Sequence, residues 1–285
     1  MKVAILGTEN SHADAFAKLI RDDSDFKDIE LVGAYGYDDN KNKKLAEEGL
    51  ISVFSDTPHE FLDKVDAVLV TARHGDHHYE YALPYIQKGI HAFIDKPFTV
   101  KPEYSDELLN TAEKTGALLC GGSSLKFLKG LDTMREFAAQ NTPIGGYVGA
   151  PINMVNDYAG FYFYSQHLIE LMFGAFGSDV KAVTAYCPDE TQNRVSVIAD
   201  YGAFDVMAQY TSSYAYNVTV YSKDECKTLY TKDLGNIYKA ELTEFAEMVR
   251  THRLPHAYSE LKKPVTILAA IEKSFKTQKK VALQW

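Results

Sequence analysis

Cysteine and positive charge are both scarce in this chain. Its three cysteines, Cys120, Cys187 and Cys226, are scattered and odd in number. That argues against a disulfide framework or a zinc knuckle and fits a reducing compartment. Lysine and arginine number 30 against 39 acidic residues, a net charge of −9, and no basic tract interrupts the balance. Such a surface repels phosphate backbones, so no nucleic-acid partner is expected. No apolar run approaches the roughly 20 residues that span a bilayer, so no membrane partner is expected either. The short apolar run at residues 1–7 reads as a strand and not as a signal peptide. Together these absences point to a cytoplasmic location. Internal repeats and low-complexity segments are also missing.

What is present is alternation. Residues 3–6 read as a buried strand stopped by Gly7, and residues 13–21 carry apolar side chains at helical spacing. Further strands are expected at 29–34, 51–54, 67–71, 91–94 and 117–120, with helices at 40–48, 58–64, 79–88 and 102–115. Short apolar strands alternating with amphipathic helices imply βαβ units and a parallel sheet covered on both faces. The opening order of strand, glycine turn and helix suits a doubly wound, Rossmann-type nucleotide fold.

Beyond residue 122 the pattern changes. A helix at 128–139 and another at 165–172 accompany strands from residue 145 onward, at 181–186, 194–200, 203–212 and 217–221. Late helices are expected at 238–251 and 263–276. The expected fold class is therefore α/β. A Rossmann domain over residues 1–122 precedes an α+β substrate-binding and oligomerisation domain over 123–285. The second domain holds a mainly antiparallel open sheet, and the last helices are able to pack back on the first domain. An antiparallel sheet often leaves one face uncovered, and that face predicts a homodimer or a dimer of dimers.

The first turn reads Gly7-Thr8-Glu9-Asn10-Ser11-His12-Ala13. Of the three glycines in a standard dinucleotide fingerprint only Gly7 is present. The free N–H groups of the following helix can still take a phosphate, with Thr8, Asn10 and Ser11 as added donors. Glu9 beside a pyrophosphate is unfavourable, and an ordinary strand–helix turn is the competing reading. After the second strand comes Tyr35-Gly36-Tyr37-Asp38-Asp39, where Asp38 is the candidate for the adenosine ribose and Tyr37 for stacking on adenine. The choice between NAD and NADP stays open. His74, His77 and His78 lie close in sequence, but no accompanying carboxylate or cysteine pattern supports a metal site, and none is expected.

The segment 65–97 is more specific. It carries an apolar strand ending at Thr71, then His78-Tyr79-Glu80, then Lys88-Gly89-Ile90-His91, and finally Asp95-Lys96-Pro97. This resembles the Gfo/Idh/MocA family of oxidoreductases, in which a Glu-Lys-Pro motif closes the corresponding strand. Asp95 replaces the glutamate here. The resemblance continues through residues 121–127 and into the helices at 240–274. It implies an NAD(P)-dependent dehydrogenase or reductase acting on a CH–OH group of a small, carbohydrate-like substrate, with Lys96 at the junction of nicotinamide and substrate. Thr71, His78 and Asp95 join the cofactor-binding set. The family's Asp-x-Gly-x-His signature is matched at Phe163-Tyr164-Ser165-Gln166-His167. That implies an acid/base or substrate role for His167, as imidazole suits proton transfer near neutral pH. Phe163 and Ser165 replace the signature's aspartate and glycine, which leaves the histidine's carboxylate partner missing. Asp157, Tyr162 and Tyr164 are the candidates to stand in for it or to contact substrate. Two other readings stay open, an NAD-using glycosidase of the same fold and a non-catalytic binding or regulatory protein that kept the fold.

Overall fold

The computed structural model describes residues 1–285 and divides them into two compact units. One comprises residues 1–99, 103–122 and 238–261; the other comprises 100–102, 123–237 and 262–285.

The first unit begins with β1 (Lys2–Leu6), α1 (Ser11–Asp22), β2 (Glu30–Tyr35), α2 (Asp39–Glu47) and β3 (Phe54–Ser55). It continues with β4 (Ala67–Val70), α3 (Asp76–Gln87), β5 (His91–Asp95), α4 (Pro102–Thr115) and β6 (Leu119–Gly122). The six strands pair in parallel in the order β3-β2-β1-β4-β5-β6. Every residue of β4 is buried, as expected of a strand in a sheet covered on both faces. The strand order reverses between β1 and β4, and Leu6 pairs with Val70, which pairs with Ile94. The register therefore brings Gly7, Thr71 and Asp95 to one carboxyl edge at the switch point, where open α/β sheets take their ligands. The helix expected at 58–64 is only a run of turns, closed by i→i+3 bonds from Leu62 to His59 and from Lys64 to Phe61. Seven residues do not recover the cost of nucleating an α-helix.

The second unit contributes α5 (Leu131–Asn141), β7 (Gly145–Pro151), α6 (Tyr162–Phe176), β8 (Ala182–Tyr186) and β9 (Val195–Asp200). Then come β10 (Asp205–Thr211), β11 (Tyr216–Tyr221) and β12 (Cys226–Thr231). The chain next returns to the first unit as α7 (Ile237–Thr251) and ends with α8 (Tyr258–Thr277) and β13 (Val281–Ala282). The seven-stranded sheet runs β12-β11-β7-β10-β9-β8-β13; every pair is antiparallel except β7 with β10. β12 is an edge strand with no buried residue, which is why no apolar run in the sequence announced it. One face of this sheet is covered by helix, with Tyr210 donating its hydroxyl proton to the Ser165 carbonyl of α6 at 2.8 Å. On the other face Tyr186, Ile198, Met207, Tyr221 and Tyr230 are 41% to 59% exposed, so nothing in this chain covers it.

The return of α7 completes the first unit's core. Leu242, Phe245, Ala246 and Met248 are buried in the same cluster as Ile5, Phe16, Leu69 and Phe93. Phe93 meets Phe16 and Phe245 edge-on, with centroids 5.3 and 6.5 Å apart. Burial of each such ring contributes roughly 1.5–3 kcal/mol. That packing holds α7, and every side chain on its inner face, in a defined position.

Candidate active site

The carboxyl edge of the first unit is built from three turns. At the first, Gly7 adopts φ +113° and donates its N–H to the Tyr35 carbonyl at 2.8 Å. A Cβ there would lie 2.2 Å from the backbone nitrogen of Ala72, so the turn passes the end of β4 at a distance only glycine allows. Thr71 ties the two strands by donating its hydroxyl to the Gly7 carbonyl at 2.9 Å. The Asn10 side chain caps no backbone amide of α1; it accepts from the Ser11 hydroxyl at 3.4 Å and donates to Asp95, while the Ala13 N–H turns back to the Asn10 carbonyl at 3.1 Å. Glu9 is engaged elsewhere, its carboxylate accepting from the N–H of Arg73 at 3.0 Å. Burial pushes the Glu9 carboxyl above its ordinary pKa, with the Arg73 amide opposing.

The second turn follows β2. A Cβ on Gly36 would come 1.8 Å from the Thr8 hydroxyl oxygen, and Thr8 is fully buried. Thr8 thus occupies the space an acidic side chain at position 36 would need. Asp38 is exposed and caps α2, accepting from the N–H groups of Asn40 and Lys41 at 3.0 and 3.1 Å. Tyr37 is also exposed.

The third turn ends β5. Asp95 is fully buried; one oxygen accepts from the Lys96 N–H at 2.6 Å and the other from the Asn10 side-chain amide at 2.9 Å. Lys96 follows, buried, with a cis bond to Pro97. Burial pushes the Lys96 ammonium below its ordinary pKa; Asp95 opposes the shift and Arg73 adds to it. His78 lies behind this turn with its ring nitrogens 2.6 Å from the Pro97 carbonyl and 2.7 Å from the Ala72 carbonyl. Both nitrogens are thus occupied by backbone, so His78 joins the turns after β4 and β5. Asn10, Thr71, His78, Asp95 and Lys96 form one connected group around Gly7. Ser11 is exposed at its rim, and Asp38 stands apart on α2.

In the second unit His167 is buried on α6, its Nδ1 at 2.7 Å from the Ser123 hydroxyl. That hydroxyl oxygen also accepts from the Leu125 N–H at 3.2 Å. A hydroxyl donates one hydrogen and accepts two, so Ser123 meets either tautomer of the ring while still accepting from Leu125. Ser123 therefore orients the imidazole where the family signature would have an aspartate. Of the three residues considered for that task, Tyr164 lies edge-on to His167 at 5.1 Å between centroids. Tyr162 donates to Glu272 at 3.0 Å, and Asp157 is exposed in a loop.

Three participants escaped the sequence reading. Ser123 lay one residue past the expected domain boundary. Asp95 and Glu241 meet at His12: His12 Nδ1 is 3.2 Å from Asp95, and Nε2 is 3.4 Å from Glu241 on α7. Only the serine-histidine pair opening α1 hinted at the first of these, and nothing local pointed to the second.

An all-parallel sheet whose switch-point turn allows only glycine, and which leads into a helix with no side-chain cap, has the form of a Rossmann unit. Residues 1–122 match the sequence model of the Gfo/Idh/MocA oxidoreductase family, with its NAD-binding Rossmann fold. No protein of curated function matches the chain by sequence. Solved structures share its fold along its whole length. Myo-inositol 2-dehydrogenase from Lactobacillus plantarum matches with a TM-score of 0.85 at 14% identity, covering 100% of this chain and 99% of that one. GenD2 from gentamicin A biosynthesis, in complex with NAD, matches at 0.84 and 15% identity, covering 100% and 97%. The WlbA dehydrogenase from Chromobacterium violaceum, in complex with NADH and UDP-GlcNAcA, matches at 0.81 and 14% identity, covering 100% and 96%.

Proposed function

We propose that this protein is an NAD(P)-dependent dehydrogenase or reductase that acts on a CH–OH group of a sugar, cyclitol or related polyol. The observation that carries the reading is Lys96, a buried lysine at the carboxyl end of β5, anchored through its own backbone to a buried aspartate. The bound dinucleotide supplies the hydride chemistry. The protein's part is to bind, orient and move a proton. Gly7 and the first-turn amides of α1 take the phosphates, with Thr8, Asn10 and Ser11 shaping the turn. Asp38 serves the adenosine ribose. Lys96 donates a hydrogen bond to the reacting substrate oxygen, and its weakened hold on its proton suits it to stabilise the alkoxide character that develops there. His167, oriented by Ser123, takes or returns the substrate proton, and Tyr164 contacts the substrate beside it.

The test is calorimetric titration with NADH and NADPH, followed by turnover of a polyol and cyclitol panel. Micromolar to weakly sub-millimolar binding of one dinucleotide is expected. Lys96→Ala should retain that binding while losing on the order of 100- to 10,000-fold in turnover. Absence of binding at millimolar dinucleotide, or full turnover by Lys96→Ala, overturns the reading.

A further inference from the structure

His12 and Glu241 have no part in the reading above, and with Asp95 they form an enclosed set of ionisable side chains beside the candidate site. Their side chains are between 0% and 4% exposed. They come from three elements far apart in sequence: His12 from the first turn of α1, Asp95 from the end of β5, and Glu241 from the first turn and a half of α7. The imidazole lies between the two carboxylates, with a different ring nitrogen facing each, Nδ1 to Asp95 and Nε2 to Glu241. A cation on one ring nitrogen would leave the other N–H to the opposite carboxylate, so the zinc arm of the test below separates a metal ligand set from an imidazolium bridge. Neither ring nitrogen has a hydrogen bond of normal geometry; each faces a carboxylate at ion-pair distance, and an imidazolium is attracted to both at once.

The rest of the surroundings agree. From α7 the ring of Tyr238 meets His12 edge-on at 4.6 Å between centroids, and on its own helix Phe16 does the same at 5.7 Å. The charged groups acting on His12 are Asp95 and Glu241, with Lys96 beside them. Burial works against the imidazolium, and Lys96 adds to that, but Asp95 and Glu241 outweigh both and raise the histidine above its ordinary pKa. Downstream the chain of contacts reaches the candidate catalytic residue, because Asp95 holds the Lys96 N–H at 2.6 Å.

We propose that His12 and Glu241 are positioning residues for Lys96, a buried carboxylate–imidazole–carboxylate relay that fixes Asp95 and through it the backbone of the lysine. α7, delivered from the far end of the sequence, thereby governs the geometry of the β5 turn. The importance of this for turnover rests on the role assigned to Lys96; the relay itself does not.

The test separates the two. The full chain is labelled with ¹⁵N, and the Lys96 amide and the His12 ring nitrogens are followed from pH 5.5 to 9.5, with His12→Gln supplying the ring assignment. Expected are two protonated His12 nitrogens at neutral pH and a downfield Lys96 amide proton whose shift titrates with the same midpoint as the ring. Glu241→Gln, nearly isosteric, should lower that common midpoint by about one pH unit, a tenfold change in proton affinity, and Glu241→Asp should restore part of it. In turnover of any accepted polyol, Glu241→Gln should lower kcat on the order of tenfold while the dissociation constant of NADH stays within about twofold. A His12 that is neutral at pH 7, independent midpoints for ring and amide, or an unmoved midpoint in a folded Glu241→Gln protein overturns the relay. Stoichiometric zinc in the purified protein that is lost in His12→Gln overturns it as well. Failure of the wild type to bind either dinucleotide removes the oxidoreductase reading instead, and the titration still decides the relay.

Discussion

Placing a methyl group on Gly7 tests whether the dinucleotide turn is held by the strand it passes. In Gly7→Ala the new Cβ would sit 2.2 Å from the nitrogen and 2.3 Å from the Cα of Ala72, and 2.7 Å from the carbonyl carbon of Thr71. All three are backbone atoms, so no rotamer change relieves the overlap, and the turn must move away from β4. That movement strains the Thr71 N–H to Leu6 carbonyl bond at 2.8 Å and the Thr71 hydroxyl to Gly7 carbonyl bond at 2.9 Å. Each contributes about 1 kcal/mol, and the left-handed φ costs an alanine about 1–2 kcal/mol more. The expected loss is therefore about 3–4 kcal/mol. Gly49 provides the control. Its φ is +66° but no atom lies within 4 Å of its added Cβ, so Gly49→Ala bears the backbone term alone. The difference between the two variants should be about 2 kcal/mol, or roughly 1 M in the urea midpoint at a typical slope. Gly7→Ala should also weaken NADH binding, while Gly49→Ala leaves it unchanged. Equal midpoints for the two variants would refute the close approach of the turn to β4.

Ser123→Ala should lower turnover about tenfold through the loss of His167 orientation and cost about 1 kcal/mol through the loss of the Leu125 bond; turnover equal to wild type would detach Ser123 from His167 function. Because the folded-state pKa of His12 lies above its unfolded value near 6.5, its contribution to stability is full below that pH. That contribution declines as pH rises through the folded pKa, by at most about 1.36 kcal/mol per pH unit. Urea unfolding between pH 6 and 9 should therefore lose this slope in His12→Gln, and an unchanged slope counts against a protonated His12. The exposed sheet face carrying Ile198, Met207, Tyr221 and Tyr230 predicts a homodimer or a dimer of dimers closed through it. Light scattering should give an even multiple of the chain mass for the wild type and a shift toward monomer for a Met207→Lys, Ile198→Lys double variant.

Apart from residues 58–64, which form turns where a helix is expected, the linear order of residues foretells the first unit's strands and helices because each carries its own periodic signal. β4 is apolar throughout and buried throughout, and α4 has both its apolar spacing and its glycine stop. The motif around Lys96 was legible for the same reason, since strand, turn and lysine are contiguous. The unevenness of the first turn was legible too, but its meaning was not. Glu9 looked hostile to a pyrophosphate, and only the fold shows it accepting from Arg73, 64 residues away. Ser123 takes up a role the sequence had offered to Asp157, Tyr162 and Tyr164, because a hydrogen bond depends on which side chains the tertiary packing brings within 3 Å. The relay through His12 is the extreme case. Glu241 lies on a helix that reads as an ordinary late amphipathic segment, and its carboxyl group faces a histidine over two hundred residues earlier, at 3.4 Å. Local periodicity determines which residues form a helix or a strand, whereas the pairing of buried charges is decided only when the whole chain has packed.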